Sequence, residues 1–256
     1  MSKLPEEYQF IDLSDYGRFI ARQIASSLKD TSVTPIGVTS CFIISGLLAI
    51  ICILNQYNYA AAFFLILKSI LDAADGELSR IKKMPSYVGR YYDSIADILL
   101  NFLFLLAFWH LSEISILLMI LAFVGVQLQG TLYNYYYVIL RNNVAGDTTS
   151  RVFENESPLA MAGENQRTVD LFYKIFNFLY LVFDKTIYHL DRKAIDSTPF
   201  PKWFMTAVSS LGLGFQLLLM SVFLVLGIEE IVIPFFIGYS TLIFVFIGIR
   251  RWLLKR

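Results

Sequence analysis

Five or six apolar stretches long enough to cross a bilayer constrain this 256-residue chain more than any other feature; they lie at approximately 35–54, 58–74, 91–110, 113–139, 203–227 and 231–249. A spanning helix takes roughly 20 apolar residues, and in lipid the backbone has no water to bond, so such runs are read as helices. The gaps after the first, third and fifth stretches are short: NQYNY, WHLSE and GIEE. At 56% hydrophobic residues the chain exceeds the ordinary soluble domain, usually about 45–50% apolar.

Charge orients the bundle. Those three gaps hold no Lys or Arg, whereas the opposite side collects Arg18, Arg22 and Lys29, then Arg80, Lys82, Lys83 and Arg90, and at the end Arg250 and Arg251. By the positive-inside rule both termini and the connection between the second and third stretches face the cytoplasm. The segment VDLFYKIFNFLYLVFDKTIYHLDRK (169–193) is long enough to span, yet Asp170, Lys174, Asn177, Asp184 and Lys185 recur along one face. A charge at mid-bilayer costs about 2.5–3.5 kcal/mol, and a seventh crossing would move the basic C-terminus outside. The segment is therefore expected to lie in the interface. DLSDYGRFIARQIASSLKD, with Ile20, Ile24 and Leu28 on one face, has the same character, and the tyrosines of YNYYYV (133–138) read as an interfacial aromatic belt. The expected fold is all-α: a polytopic membrane bundle of six transmembrane helices plus interfacial amphipathic helices. Residues 1–33 form an N-terminal cytoplasmic or interfacial helix, and 34–256 the six-helix transmembrane domain, with a cytoplasmic loop and interfacial helix at about 141–200.

The polar exception is LDAADGELSRIKKMPSYVGRYYDSIADILLN (71–101). Asp72 and Asp75 lie three positions apart, Asp93 and Asp97 four, so each pair shares a helix face. With two antiparallel spans joined by a short connection, all four carboxylates converge. Oxygen-rich clusters of this kind suit hard divalent cations, and a pair of ions about 3.5–4 Å apart would clamp a phosphoryl group. Gly76 and Gly89 leave room for a diphosphate near the backbone, and Arg80 offers a planar fork to phosphate oxygens. Lys68, one turn before Asp72, reads first as an ion-pair partner. Gln127, Thr131, Asn134 and Arg141 lie near one face of the fourth span, as pocket lining or as interhelical bonds.

The pattern Asp-x2-Asp-Gly-x2-Ala-Arg-x8-Gly-x3-Asp-x3-Asp resembles the signature of CDP-alcohol phosphotransferases, also called CDP-alcohol phosphatidyltransferases. Asp72, Asp75, Gly76, Arg80, Gly89, Asp93 and Asp97 match it, and Ser79 stands where the family usually has Ala. TPIGVT (34–39) keeps Thr34, Pro35 and Thr39 of the family's Thr-Pro-Asn-x-x-Thr, with Ile36 in place of Asn. The resemblance implies in-line attack by an alcohol hydroxyl on the phosphate of a CDP-alcohol, CDP-diacylglycerol foremost, with release of CMP. It also implies two divalent ions, Mg²⁺ or Mn²⁺, held by Asp72, Asp75, Asp93 and Asp97. Asp97 would be the general base, and Gly76, Arg80 and Gly89 would surround the diphosphate. A homodimer through the membrane helices is implied too, with at least one lipid substrate; no nucleic-acid partner is expected.

Two rival readings remain. A Mg²⁺-dependent membrane prenyltransferase also holds a diphosphate on aspartates, but it carries two separate acidic motifs where this chain has one. A divalent-cation carrier would place its acids nearer mid-membrane and line a polar path to the outer face.

Overall fold

The computed structural model describes residues 4–144, 156–196 and 200–253, and all regular structure among them is helical. In chain order the helices are α1 (Arg18–Leu28), α2 (Pro35–Leu54), α3 (Asn58–Lys82), α4 (Tyr87–His110), α5 (Ile116–Asn143), α6 (Gln166–Leu190), α7 (Lys202–Val208), α8 (Leu213–Leu226), α9 (Val232–Tyr239) and α10 (Thr241–Leu253). Local chemistry sets the boundaries around the acidic motif. Thr34 caps α2 by accepting the Gly37 N–H at 3.1 Å, with Pro35 at the first turn, where a missing N–H costs nothing. Lys83 adopts a left-handed φ of 53°, its N–H and that of Met84 returning to the Arg80 and Ser79 carbonyls. The chain then re-enters helix at Ser86, whose hydroxyl accepts the Gly89 N–H at 2.8 Å.

Four segments are long and apolar enough to cross a membrane: α2, α4, α5 and Glu229–Leu253, which contains α9 and α10. A fifth crossing follows if α7 and α8, bent by 54°, count as one span. The chain is an integral membrane protein. Its central helix is α3, which packs against α1, α2 and α8. One apolar core joins Phe42, Leu65, Phe104, Met220 and Phe236, and a second joins Tyr136, Phe204 and Ile247. The bend between α7 and α8 admits the N-terminal turn. There the Leu13 N–H donates to Ser209 Oγ at 2.9 Å and the Gly214 N–H to Ser14 Oγ at 3.2 Å. A Cβ on Gly214 would strike the Ser14 carbonyl, so this approach needs glycine.

The lie of α6 follows from its two ends. Glu164, just before it, accepts from Ser86 Oγ at 2.7 Å and from the Val88 N–H at 2.8 Å, at the start of α4. Asp191, just after it, accepts from the Tyr136 hydroxyl at 2.6 Å, near the end of α5, and from Arg250 Nε at 2.7 Å in α10. The helix is thus tied just before its first turn to the start of α4 and just past its end to α5 and α10. Its inner face sets Tyr173 and Phe176 against Tyr91 and Phe183 against Phe123, while Leu171, Ile175, Phe178 and Val182 face outward.

One expectation needs correction. The tyrosines of 133–138 are no outward belt: Tyr135 and Tyr136 are buried, and Tyr133 hydrogen-bonds Asp12. Their partners on other elements turn them inward. On α1, Ala21 and Ala25 pack against Ile70, Ala74 and Leu78, with Ile24 and Leu28 of the expected face partly buried beside them and Ile20 46% exposed. Small side chains let α1 lie close to α3, so its dock is another helix. Within the expected cytoplasmic loop that begins at about 141, residues 145–155 lie outside those described.

The buried Asp191–Arg250 pair yields a stability prediction, because both side chains are almost fully enclosed, at 1% and 2% exposure. Asp191→Ala strands the guanidinium and is expected to cost about 3–5 kcal/mol, read as a lower denaturation midpoint of the detergent-solubilised protein. An unchanged midpoint would show that the pair does not support the fold.

Candidate active site

The acidic motif sits where α3 and α4 leave and re-enter the bundle. Carboxylate oxygens of Asp72, Asp75 and Asp93 lie within 4.8 Å of one another, as a metal-binding trio requires. Each is placed by a different element or turn. Asp72 and Asp75 project from adjacent turns of α3, and Asp75 Oδ2 accepts from the Thr39 hydroxyl on α2 at 2.6 Å. Asp93 comes from α4, and its Oδ1 is buried with no hydrogen-bond partner among the described residues. A buried, unbonded carboxylate oxygen aimed beside two other carboxylates is what a bound cation satisfies, and an all-oxygen donor set suits Mg²⁺ or Mn²⁺. The residues present fit a divalent ion.

Asp97 stands apart from the trio. It bonds the ammonium of Lys68, which also lies 3.0 Å from Asp72 Oδ2 and has no solvent exposure. The expected ion pair of Lys68 is therefore present, and it is shared between two aspartates.

These groups open into a cavity of about 420 Å³. Asp72, Asp75, Asp93 and Asp97 line it, as do Gly76 and Arg80. At Gly76 an added Cβ would meet only the Arg80 guanidinium, at 3.6 Å, so the floor is open there. Arg80 Nη2 lies 3.1 Å from Glu77 Oε1, and its Nε is buried without a partner among the described residues. Gly89 is elsewhere: its N–H serves the Ser86 cap, a Cβ there would meet Ser86 and Ile36, and it does not line the cavity. Of the fourth-span candidates Gln127, Thr131 and Asn134 line the cavity, and Arg141 does not. Gln127 Nε2 is buried with no partner among the described residues.

The family model for CDP-alcohol phosphatidyltransferases matches residues 32–164, slightly more than half of the chain and all four aspartates. The chain belongs to this family. Its members are phosphotransferases that depend on divalent metal and act on CDP-alcohols and alcohol acceptors within the membrane, so this phosphatidyltransferase is an enzyme of that reaction class. Comparison with curated proteins and with solved structures gave no match.

Other contributors to the phosphatidyltransferase site were not singled out from the sequence. Glu77, 1% exposed, gathers Arg18 at 2.7 Å, Arg80 at 3.1 Å and Arg22 at 3.7 Å, tying α1 to the motif. Its i, i+3 spacing to Arg80 was the available signal. Tyr180 and Asp184 reach the cavity from α6, and Tyr180 donates to the Ser94 carbonyl at 2.7 Å. Outside the membrane helices, Glu164 loses some hydration, which raises its pKa. Bonds from the Ser86 hydroxyl and the N–H groups of Val88 and Met161 outweigh this and hold it below the usual glutamate value.

Thr39 supports a ligand candidate without belonging to the trio. Removing a hydrogen-bond partner of a metal-binding carboxylate typically costs about 10–100-fold in affinity. Thr39→Val is expected to weaken Mn²⁺ binding by about that factor, and Asp75→Ala to abolish it, in a titration followed by electron paramagnetic resonance. Wild-type affinity in Asp75→Ala would remove the trio from metal binding.

Proposed function

We propose that the protein transfers a substituted phosphate from CDP-diacylglycerol to the hydroxyl of an alcohol, releasing CMP, at a cytoplasmic-side cavity of a six-span bundle. The observation that carries this reading is the convergence of Asp72, Asp75 and Asp93 within 4.8 Å on the wall of a 420 Å³ cavity shared with Asp97 and Arg80. The sixth span is α3. Lys68, Asp72 and Asp75 interrupt its apolar run, but its 25 residues reach roughly 37 Å at 1.5 Å per residue, against a hydrocarbon core of about 30 Å. Six crossings bring α1, the α3–α4 turn and the end of α10 to one side, and their basic residues favour the cytoplasm. A diacyl donor is supported by the outward faces of the surrounding helices, where Leu47, Ile51, Phe63 and Leu99 are exposed. Such a donor reaches the carboxylates without leaving lipid.

In this reading the acceptor oxygen forms a bond to the phosphorus next to the diacylglycerol carrier. The bond from that phosphorus to the bridging oxygen breaks, CMP leaves with that oxygen, and the hydroxyl proton passes to Asp97. A divalent ion on Asp72, Asp75 and Asp93 would supply charge stabilisation for the phosphoryl oxygens and the leaving phosphate. Arg80, anchored by Glu77, and the open backbone at Gly76 bind the diphosphate. Gln127, Asn101 and Tyr180 line the same cavity as Asp97 and orient the acceptor. The homodimer implied by the family resemblance belongs to this proposal as well.

Two measurements test it. Purified protein with Mg²⁺ or Mn²⁺ is expected to release CMP from CDP-diacylglycerol when a panel of alcohols is supplied. Release only from CDP-ethanolamine with diacylglycerol would reverse which substrate carries the lipid, and no release from any donor would sink the assignment. Asp97→Asn is expected to lower kcat by roughly 10²–10⁴-fold while donor binding stays near wild type; equal loss of both would deny Asp97 the role of base.

A further inference from the structure

Lys68 is placed unusually for a lysine. It lies within α3, one turn before Asp72, with no solvent exposure. An enclosed ammonium persists only where opposite charge and hydrogen bonds replace its water. Here Asp72 Oδ2 accepts at 3.0 Å, Asp97 Oδ1 accepts as well, and the Phe42 ring of α2 presents its face with a centroid 4.5 Å away. The ammonium thus bridges α3 to α4 at the point where Asp72 and Asp97 approach each other. The oxygen trio that fits a divalent ion excludes Asp97.

A second divalent ion shared by Asp72 and Asp97 would need that same point. It would have to lie roughly 2.0–2.6 Å from oxygens that already receive the ammonium. Lys68 has nowhere to go in exchange, since its stem is enclosed and the Phe42 ring lies against its head. Displaced from both carboxylates, it would remain a buried cation beside a dication, repelled by it and unpaired.

We propose that this chain binds a single divalent ion, on Asp72, Asp75 and Asp93, and that the Lys68 ammonium takes the place of a second ion between Asp72 and Asp97. The inference rests on the reading of the aspartate trio as the metal site. An ammonium differs from a metal in kind. It donates directed hydrogen bonds, so it fixes one oxygen of Asp97 and leaves the other for the acceptor proton. Lys68 is accordingly a positioning residue, acting through Asp97 and Asp72.

The test counts ions. Full-length protein in nanodiscs is equilibrated with Mn²⁺, alone and with CMP, and examined by equilibrium dialysis and electron paramagnetic resonance. The wild type is expected to hold one Mn²⁺ per chain with the spectrum of an isolated ion in both conditions. Lys68→Met, neutral and of similar length, is expected to hold two with an exchange-coupled spectrum, and Lys68→Arg to hold one. Two coupled ions in the wild type overturn the proposal, as does Lys68→Met that stays at one. If Lys68→Met does not fold, the wild-type count decides by itself. CMP release by the wild type is measured in parallel. Two coupled ions with CMP release remove the single-ion inference and leave the transferase; no bound ion and no CMP release remove both.

Discussion

Four carboxylates held together at the edge of an apolar bundle repel one another, and much of this architecture answers that repulsion. At the 4.8 Å limit of the trio, two unit negative charges oppose each other by about 3–4 kcal/mol at an effective dielectric of 20. Three such pairs approach the whole stability of an ordinary domain, roughly 5–15 kcal/mol. No fold would keep that arrangement without compensation. Part of it is built in: the Lys68 ammonium takes Asp72 and Asp97, and the Thr39 hydroxyl takes one oxygen of Asp75. What is left over, Asp93 Oδ1 above all, is unmet need for positive charge. The chemistry of a divalent-metal phosphotransferase begins from that deficit.

The surrounding cations are arranged to keep the deficit local. Arg18, Arg22 and Arg80 gather on Glu77, and Arg18 also bonds Asp15, so their bonds go to those carboxylates and not to the trio. This leaves the trio negative while still presenting a guanidinium on the cavity wall. The Glu77 group also fastens α1 to α3, so the helix preceding the first span is held by the same residues that shape the site.

Much of this was legible in one dimension because its determinants are local. Apolar runs of bilayer length marked the helices. Spacings of three and four put Asp72 with Asp75, and Asp93 with Asp97, and the short α3–α4 connection then left them little choice but to meet. The Lys68–Asp72 pair follows from i, i+4 spacing; its second bond, to Asp97 across to α4, does not. Long-range partners account for the misreadings. Tyr133 and Tyr136 resemble belt residues by composition, but Asp12 and Asp191, 121 and 55 positions away, turn their hydroxyls inward. Gly89 fits the family spacing, and its N–H caps α4 through the neighbouring Ser86. The N-terminal turn lodged between α7 and α8 left no periodic trace, since it depends on a bend and a missing Cβ nearly 200 residues downstream.

That lodged turn divides the labour of the cavity in an uneven way. The stretch shared with the family, 32–164, contributes the carboxylate trio, Asp97 and Arg80. Ser14, Arg18, Tyr180, Asp184, Leu213 and Gln216, which enclose the same space, all lie outside it. The carboxylate trio thus lies wholly inside the shared stretch, whereas the enclosure draws on residues both inside and outside it. Substitution at those outlying positions can reshape the vestibule, and with it what is admitted, without touching the trio.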